Sequence, residues 1–345
     1  MKILVTGGTG YIGSHNVVEL QNKGYEVIVV DNFSNSYEEV LDKIAKITGK
    51  RPEFERFDLS ETQKTNNFFD RHRDIYGIIH FAAYKAVGES VNKPLMYYHN
   101  NLVSLMNLLT NMNRHGIENI VFSSSCTVYG QPDKLPVSEE APIKRAWSPY
   151  GNTKQISEEI IEDTIKASDV IKGIALRYFN PIGAHESAEI GELPIGVPDN
   201  LVPFITQTAI GLRQQLKVFG NDYNTHDGSA IRDYIHVVDL VKAHVIALDR
   251  MLNNKNKKSF EVFNLGTGNG YSVMDVIKSF EKVSGQTLNY KIVDRRPGDV
   301  EQVWADTFFA NRELGWTAEK GLDEMMRSAW EWEKSLSRQR KEEGK

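Results

Sequence analysis

The sequence has very little cysteine: Cys126 is its only thiol in 345 residues. One thiol cannot form an internal disulfide bond, and it excludes zinc or iron–sulfur centres held by several cysteines. We therefore predict no metal site.

The sequence also has no apolar run near the roughly 18 residues of a membrane-spanning helix. The chain enters the apolar run Ile3-Leu4-Val5 directly after Met1-Lys2, which is too short for a signal-peptide core and is typical of a first strand. We expect a cytoplasmic protein that binds no membrane.

The chain also lacks an excess of positive charge. It has 41 Lys and Arg against 46 Asp and Glu, which gives a formal net charge of −5. A nucleic-acid-binding domain is normally clearly basic, so we expect no nucleic-acid partner. A small anionic ligand is not excluded, because the local field of a pocket need not follow the net charge. Apolar residues at 40% and charged residues at 25% indicate an ordinary globular protein.

Short apolar runs alternate with helical patterns in the first half of the chain. The strand candidates cover residues 2–6, 26–31, 53–58, 77–82, 119–123 and 173–178, with helical patterns at 13–22 and 94–114 between them. This alternation predicts an α/β fold, a Rossmann-type doubly wound parallel sheet with helices on both faces. Eight of the 11 prolines lie in 132–149 and 181–203, which we predict to be two long loops. Beyond them, a mixed pattern predicts a smaller α/β C-terminal lobe.

A glycine-rich segment follows the first strand and opens the first helix. Gly8, Gly10 and Gly13 form the pattern G-x-G-x-x-G, and with Gly7 the segment also contains G-x-x-G-x-x-G. Such glycines let the backbone approach a diphosphate at the helix N-terminus. Asp31 ends the next strand, where a carboxylate hydrogen-bonds a ribose 2′-hydroxyl and disfavours a 2′-phosphate. The segment therefore predicts NAD as the cofactor. The glycines alone leave open a tight turn that binds nothing.

Further polar or small side chains follow the other predicted strands. Asp58 ends the third strand and is a candidate partner of the adenine amino group. Phe81, Ala82 and Ala83 end the fourth strand, where the small side chains permit close approach of a cofactor. Two polar side chains, Lys85 and Asn100, lie just beyond. Each of them alone is equally consistent with a solvated loop.

A serine, a tyrosine and a lysine complete the pattern. Ser125 follows the fifth strand, and Tyr150 and Lys154 lie four residues apart on one face of a predicted helix. A free tyrosine is a poor base at neutral pH, but neighbouring positive charge lowers its pKa. Tyr150 could then remove a hydroxyl proton while hydride leaves the same carbon. Separately, each residue fits an ordinary surface or turn position.

Taken together, these motifs resemble the extended short-chain dehydrogenase/reductase family, and within it the UDP-hexose 4-epimerases. The similarity extends across nearly the whole chain. It rests on segments 5–15, 31–32, 81–90, 123–130, 148–154, 177–181, 219–223, 232–237, 264–268, 295–299 and 304–306. The resemblance implies an NAD-binding Rossmann domain over residues 1–180, joined by returning segments, and a lobe over 181–345 that mainly binds the UDP-sugar. It also implies a homodimer built on the helices near 94–114 and 150–167.

The resemblance implies a redox epimerisation at the sugar C4. Tyr150 would deprotonate the 4-hydroxyl, Lys154 would lower the pKa of Tyr150 and bind the nicotinamide ribose, and Ser125 would hydrogen-bond the 4-oxygen. Hydride would pass from C4 to tightly bound NAD⁺, and the 4-keto sugar would turn about its diphosphate link and take hydride back on its other face. NAD⁺ would thus be regenerated in each turnover.

The family's binding residues are carried over to matching positions. For NAD these are Gly7, Gly10, Tyr11, Ile12, Gly13, Asp31, Asn32, Ser34, Asn35, Ser36, Asp58, Leu59, Phe81, Ala82, Ala83, Lys85, Asn100, Ser125, Tyr150, Lys154 and Phe179. For the UDP-sugar they are Ser125, Tyr150, Asn180, Asn200, Leu201, Lys217, Val218, Phe219, Arg232, Arg296, Asp299 and Val303. Arg232 and Arg296 would grip the diphosphate, since guanidinium groups match phosphate oxygens. Residues 217–219 would hold the uracil, and the two asparagines would position the sugar–diphosphate end.

One position departs from the bacterial epimerases. They carry a tyrosine immediately before the residue equivalent to Trp304, where this chain has Val303. The family associates a bulky group there with exclusion of N-acetyl sugars. We hypothesise that UDP-GlcNAc and UDP-GalNAc are substrates in addition to UDP-glucose and UDP-galactose.

Other functions within and outside this family fit parts of the same pattern. Dehydratases of this family carry an acidic pair after the fifth-strand serine or threonine, but Cys126 and Thr127 follow Ser125 here. A uronate epimerase or decarboxylase remains open. A non-catalytic NAD-binding regulator is disfavoured by the complete set of Ser125, Tyr150 and Lys154. For Cys126 itself we expect only a packing role.

Overall fold

The structure is a computed structural model that describes residues 1–168, 170–296 and 300–342. Within these ranges, no helix combines the length and the apolar character needed to cross a membrane.

A seven-stranded parallel sheet forms the centre of the molecule. Its strands are β1 (Lys2–Thr6), β2 (Glu26–Asp31), β3 (Glu53–Arg56), β4 (Ile75–His80), β5 (Asn119–Ser123), β6 (Lys172–Tyr178) and β10 (Phe260–Leu265). They lie in the order β10-β6-β5-β4-β1-β2-β3, and each neighbouring pair is parallel. The central strands are buried on both faces, which explains apolar runs such as that of β2. The strand order reverses between β1 and β4, and ligands of such sheets bind beyond the strands' carboxyl ends at this point.

Helices cover both faces of this sheet. One face packs against α1 (Tyr11–Asn22), α2 (Glu39–Thr48) and α8 (Val237–Leu252). The other packs against α3 (Thr62–Arg71), α5 (Pro94–His115) and α6 (Pro149–Lys166). A short helix, α4 (Val87–Asn92), precedes α5. The predicted Rossmann-type doubly wound sheet is confirmed.

The rest of the chain forms smaller sheets with their own core. β7 (Asn180–Ile182), β9 (Ile231–His236), β11 (Gly270–Ser272) and β13 (Gln302–Val303) make one sheet, and β8 (Leu216–Phe219) pairs with β12 (Tyr290–Val293) in another. They pack with α7 (Leu201–Ala209), α9 (Val273–Ser284) and α10 (Leu322–Glu342). The exact division into two domains stays a prediction, and β10 is the segment of the C-terminal half that returns to the main sheet.

The predicted bounds of three strands, at residues 2–6, 26–31 and 119–123, agree with the structure. Two bounds were wrong at the end that faces the proposed site. β3 stops at Arg56 and β4 at His80, so that Asp58 and Phe81 lie in the loops beyond the strands. The polar or small residues that follow these strands favour the loop conformation over the ladder.

Candidate active site

The glycine-rich turn packs tightly between β1, β4 and α1. Gly7 has a positive φ of 69°, and a Cβ added there would lie 2.8 Å from the backbone nitrogen of Ala82. A Cβ added at Gly13 would lie 2.1 Å from the Gly7 carbonyl oxygen. The first turn of α1 has no side-chain cap at Gly10. Because the first N–H groups of a helix have no partner within it, this tight cradle at the N-terminus of α1 fits a diphosphate, as binding of NAD requires.

Asp31 lies beside this turn at the carboxyl end of β2. Its carboxylate accepts hydrogen bonds from the backbone N–H groups of Thr9 at 3.2 Å and Phe33 at 3.0 Å. Ser36 also donates to it at 3.3 Å and bonds the Thr9 hydroxyl at 2.7 Å. Ser34 and Asn35, which were also predicted to contact the cofactor, are exposed in the loop between these groups. The loop after β2 is thus folded around the carboxylate predicted to bind ribose.

Asp58 lies next to Asn32 in the neighbouring loop. Asn32 Nδ2 donates to the Asp58 carboxylate at 2.9 Å, and Ser60 donates to its other oxygen. Burial raises the pKa of Asp58, but the hydrogen bonds from Ser60 and Asn32 outweigh it and lower that pKa from its ordinary value. Leu59 is buried, and its carbonyl accepts from Thr65 and Asn107. Asp58 is therefore a charged acceptor at the same edge of the sheet.

Some predicted cofactor residues already have partners in the protein. The Tyr11 hydroxyl donates to the Gly183 carbonyl at 2.6 Å, so Tyr11 offers mainly its backbone to a ligand. Asn100 donates to Asn101 at 3.0 Å. Lys85 Nζ lies 3.4 Å from a carboxylate oxygen of Glu192, to which Asn200 also donates at 2.5 Å. A predicted cofactor residue and a predicted substrate residue thus meet at one carboxylate.

Tyr150 and Lys154 lie on the first turns of α6. The Ser148 hydroxyl accepts from the Gly151 N–H at 3.1 Å, and Pro149 occupies the first helical position, so this sequence sets where α6 begins. Both Tyr150 and Lys154 are buried, and Ser125 is buried beyond the carboxyl end of β5. Lys154 Nζ lies 6.0 Å from the centre of the Tyr150 ring and donates to the Ser123 carbonyl at 2.6 Å.

The electrostatics of this group are set mainly by burial. Burial lowers the pKa of Lys154 to about 8, while the nearby Glu158 carboxylate raises it. Burial also raises the pKa of Tyr150 far above its usual range, whereas a hydrogen bond with Ser125 lowers it. A tyrosine in this setting becomes a base only if further positive charge stabilises its phenolate.

The predicted substrate residues come from the second sheet. Val303 pairs with Arg232 between β13 and β9, and it packs in a small apolar cluster with Phe179 and Cys126. The Arg296 guanidinium lies 4.5 Å from the centre of the Phe219 ring. Burial raises the pKa of the Cys126 thiol to about 12, which agrees with a packing role. Asp299 lies outside the described residues.

The remaining predicted substrate residues lie on elements that meet this sheet. Asn180 begins β7 directly after the buried Phe179, and Leu201 begins α7. On β8, Lys217 is exposed and Val218 is buried, which agrees with a uracil contact made partly by backbone. These positions agree with the predicted substrate contacts, which stay predictions.

Close relatives of this chain are epimerases. The chain is 51% identical over 335 residues to a UDP-glucose 4-epimerase of Bacillus subtilis, and the match covers 97% of each protein. The structure matches that of a UDP-glucose 4-epimerase from Stenotrophomonas maltophila, crystallised with NAD and formylated UDP-arabinopyranose. That match has a TM-score of 0.94 and 45% identity and covers 98% of this chain and 99% of the other. The chain belongs to the UDP-glucose 4-epimerase family.

Other comparisons agree with membership of this family. A structure from Bifidobacterium longum, in complex with NAD⁺ and UDP, matches with a TM-score of 0.93 and 45% identity over 98% of this chain and 99% of the other. A UDP-Glc/GlcNAc 4-epimerase from Campylobacter jejuni matches with a TM-score of 0.83 and 36% identity over 97% and 99%. The family model described as GDP-mannose 4,6 dehydratase matches residues 4–329. The resemblance inferred from the motifs is confirmed.

Sequence reasoning missed several buried polar groups behind this epimerase-family site. Asp233, fully buried on β9, accepts from the backbone N–H groups of Thr267, Gly268 and Ala305 and so joins β9 to two loops. Glu158 and Arg177 form a buried ion pair beneath Ser124. Their signals, an acid four residues after Lys154 and an arginine inside an apolar strand, are visible in the sequence but do not reveal their partners.

Proposed function

We propose that this chain catalyses NAD-dependent 4-epimerisation of UDP-hexoses, interconverting UDP-glucose and UDP-galactose. One observation carries the proposal. The glycine-rich cradle follows β1 and Ser125 follows β5 at the same edge of the sheet. From α6, Tyr150 shares a hydrogen bond with Ser125, and Lys154 donates to the Ser123 carbonyl. This arrangement occurs in a chain that matches UDP-glucose 4-epimerases over almost its full length.

The side chains of the protein have the following roles in the reaction. When bound, NAD supplies the hydride acceptor for the sugar C4 and a positive ring near the catalytic tyrosine. Tyr150 takes the proton of the 4-hydroxyl and later returns one to the 4-oxygen. Lys154 stabilises the Tyr150 phenolate through its positive charge, and Ser125 donates a hydrogen bond to the 4-oxygen. The burial of all three side chains strengthens each electrostatic effect.

The substrate is held by the second sheet. Arg232 and Arg296 neutralise the diphosphate, and the stacking of Arg296 on Phe219 positions its guanidinium beside the strand proposed to bind uracil. Binding at the diphosphate leaves the 4-keto sugar free to turn about its link, so that either face of C4 can meet the cofactor.

The proposed substrate range includes UDP-GlcNAc and UDP-GalNAc. Val303 pairs with Arg232 and belongs to the same apolar cluster as Phe179, beside the proposed sugar pocket. Valine occupies much less volume than the tyrosine of the bacterial epimerases and leaves room for an N-acetyl group. The similarity to a UDP-Glc/GlcNAc 4-epimerase supports this range.

Assaying purified protein with four UDP-sugars side by side tests both statements. We expect interconversion of UDP-galactose and UDP-glucose, turnover of UDP-GlcNAc, and no turnover of UDP-glucuronate. Failure with UDP-galactose overturns the epimerase assignment, whereas failure with UDP-GlcNAc alone overturns only the wider range. Turnover of UDP-glucuronate would favour the uronate epimerase instead.

The proposed assembly is a homodimer through α5 and α6, in the cytoplasm. These two helices pack together, and the face of α5 away from the core carries Leu95 at 82% exposure and Met106 at 44%. Half-buried Leu102 and Val103 lie between them on the same face of α5. Light scattering is expected to give twice the chain mass, and a monomer would contradict the proposal.

The free Cys126 agrees with a reducing compartment.

A further inference from the structure

A buried ion pair lies directly behind the proposed catalytic residues. Arg177 on β6 donates to Glu158 on α6 through Nε at 3.0 and 3.2 Å and through Nη2 at 2.5 Å. The two side chains are only 8% and 9% exposed. Burying two charges is often no more stabilising than packing apolar residues of the same volume. The pair therefore suggests a role besides stability.

Glu158 also holds the turn that carries Ser125. The Ser124 hydroxyl donates to the Glu158 carboxylate at 2.5 Å. From the other side, Arg177 donates to the Tyr129 hydroxyl at 3.0 Å, and Tyr129 donates to Asn264 at 2.7 Å. Ser124 directly precedes Ser125, and Tyr129 is the last residue of the 3₁₀ turn Cys126–Tyr129 that follows it. The ion pair thus fixes both ends of the segment that positions the Ser125 hydroxyl.

Glu158 lies one helical turn after Lys154 and provides negative charge beside it. Burial lowers the pKa of Lys154 to about 8, and Glu158 is the group that raises it. Two other titratable side chains lie near Lys154, Tyr150 on the same helix and His80 on β4. Tyr178 on β6 bonds the hydroxyl of Ser123, whose carbonyl accepts from Lys154. Burial, together with the Lys154 charge, lowers the pKa of His80 to about 3, so His80 stays neutral and adds no charge beside Lys154.

We propose that Glu158, oriented by Arg177, is a positioning residue for the epimerase reaction. It anchors the turn of Ser125 to α6 and keeps Lys154 in its ammonium form. The inference rests on the proposed function, because the Lys154 charge matters only if Tyr150 acts as the base. Without Glu158, burial would lower the pKa of Lys154 with no carboxylate to oppose it.

The test compares the NAD-bound holoenzyme with its Glu158→Gln variant. We expect kcat for UDP-galactose to fall at least about tenfold, as partial loss of acid–base catalysis. KM should change less than about twofold, because Glu158 touches no substrate. NMR titration of ε-¹³C-labelled lysines, with the Lys154 signal assigned from a Lys154→Arg variant, should give a lower pKa for Lys154 than in wild type.

A second buried pair supplies the matched control. Arg250 on α8 donates to Glu261 on β10 through two nitrogens at 2.7 and 2.9 Å, with side chains 10% and 8% exposed. Glu261→Gln also removes the carboxylate partner of a buried arginine. It therefore measures how far such a loss by itself changes kcat and the pKa of Lys154. This control should keep the wild-type kcat and the wild-type Lys154 pKa.

If Glu158→Gln fails to fold, the double variant Glu158→Gln/Arg177→Met removes the unpaired charge and replaces the single variant. Its Lys154 pKa should lie below that of wild type, because the Glu158 carboxylate that raises it is gone. A Lys154 pKa and a kcat equal to those of wild type, in whichever variant folds, would overturn the inference. An inactive wild-type enzyme would instead refute the proposed function, and the NMR titration would still decide whether Glu158 sustains the Lys154 charge.

Discussion

Replacing Tyr150 with phenylalanine is expected to lower kcat for UDP-galactose by about 10²- to 10⁴-fold, the usual contribution of a general base. The change removes one hydroxyl from a buried ring and leaves the packing of α6 in place. KM should change little, since the ring still fills its site. Initial rates from chromatographic separation of the two UDP-sugars give both constants.

Tyr25→Phe is the matched control for this experiment. Tyr25 also donates a hydrogen bond from its hydroxyl, to Asp249, but it precedes β2 at the opposite edge of the sheet from the proposed site. Loss of the Tyr25 hydroxyl should lower the stability of the protein and leave kcat unchanged. If Tyr150→Phe kept its rate within about threefold of wild type, Tyr150 would not be the base.

Replacing Val303 with tyrosine is expected to narrow the substrate range. The larger ring would fill the space beside Phe179 and Arg232 that we assign to the N-acetyl group. We expect kcat/KM for UDP-GlcNAc to fall at least about 100-fold, because a clash built into the pocket rejects a bulky substrate strongly. The value for UDP-galactose should stay within about threefold.

The ratio of the two kcat/KM values is the quantity to measure for Val303. Val303→Ala, which enlarges the same space, is the control and should retain both activities. An unchanged ratio in Val303→Tyr would show that this position does not control access of N-acetyl sugars.

Local patterns predicted much of the fold and part of the site. Because β2 is buried on both faces, its apolar run predicts a strand without knowledge of the neighbouring strands. The start of α6 follows from Ser148 and Pro149, whose capping roles are local, and it places Tyr150 and Lys154 on one face. The parallel sheet then accounts for the proximity of Gly7 and Ser125, because the strands before them end at one edge.

Contacts between distant segments were not predictable in the same way. Glu158 pairs with Arg177, 19 residues away, and with Ser124, 34 residues away. A glutamate on a helix is usually solvated, and no spacing rule identifies a buried partner on a strand. The contacts of Lys85 and Asn200 with Glu192 likewise depend on the fold of the 183–200 segment, which no local pattern gives.

The central claim is that hydride leaves C4 of the sugar and returns to it within one turnover. It is tested most directly with UDP-galactose carrying deuterium at C4, incubated with the purified enzyme in ordinary water. The account predicts UDP-glucose with the deuterium still at C4 and none released to solvent, because hydride held by the cofactor does not exchange with water. Loss of the label to water would mean that C4 is epimerised by removal of a proton, and it would contradict the account.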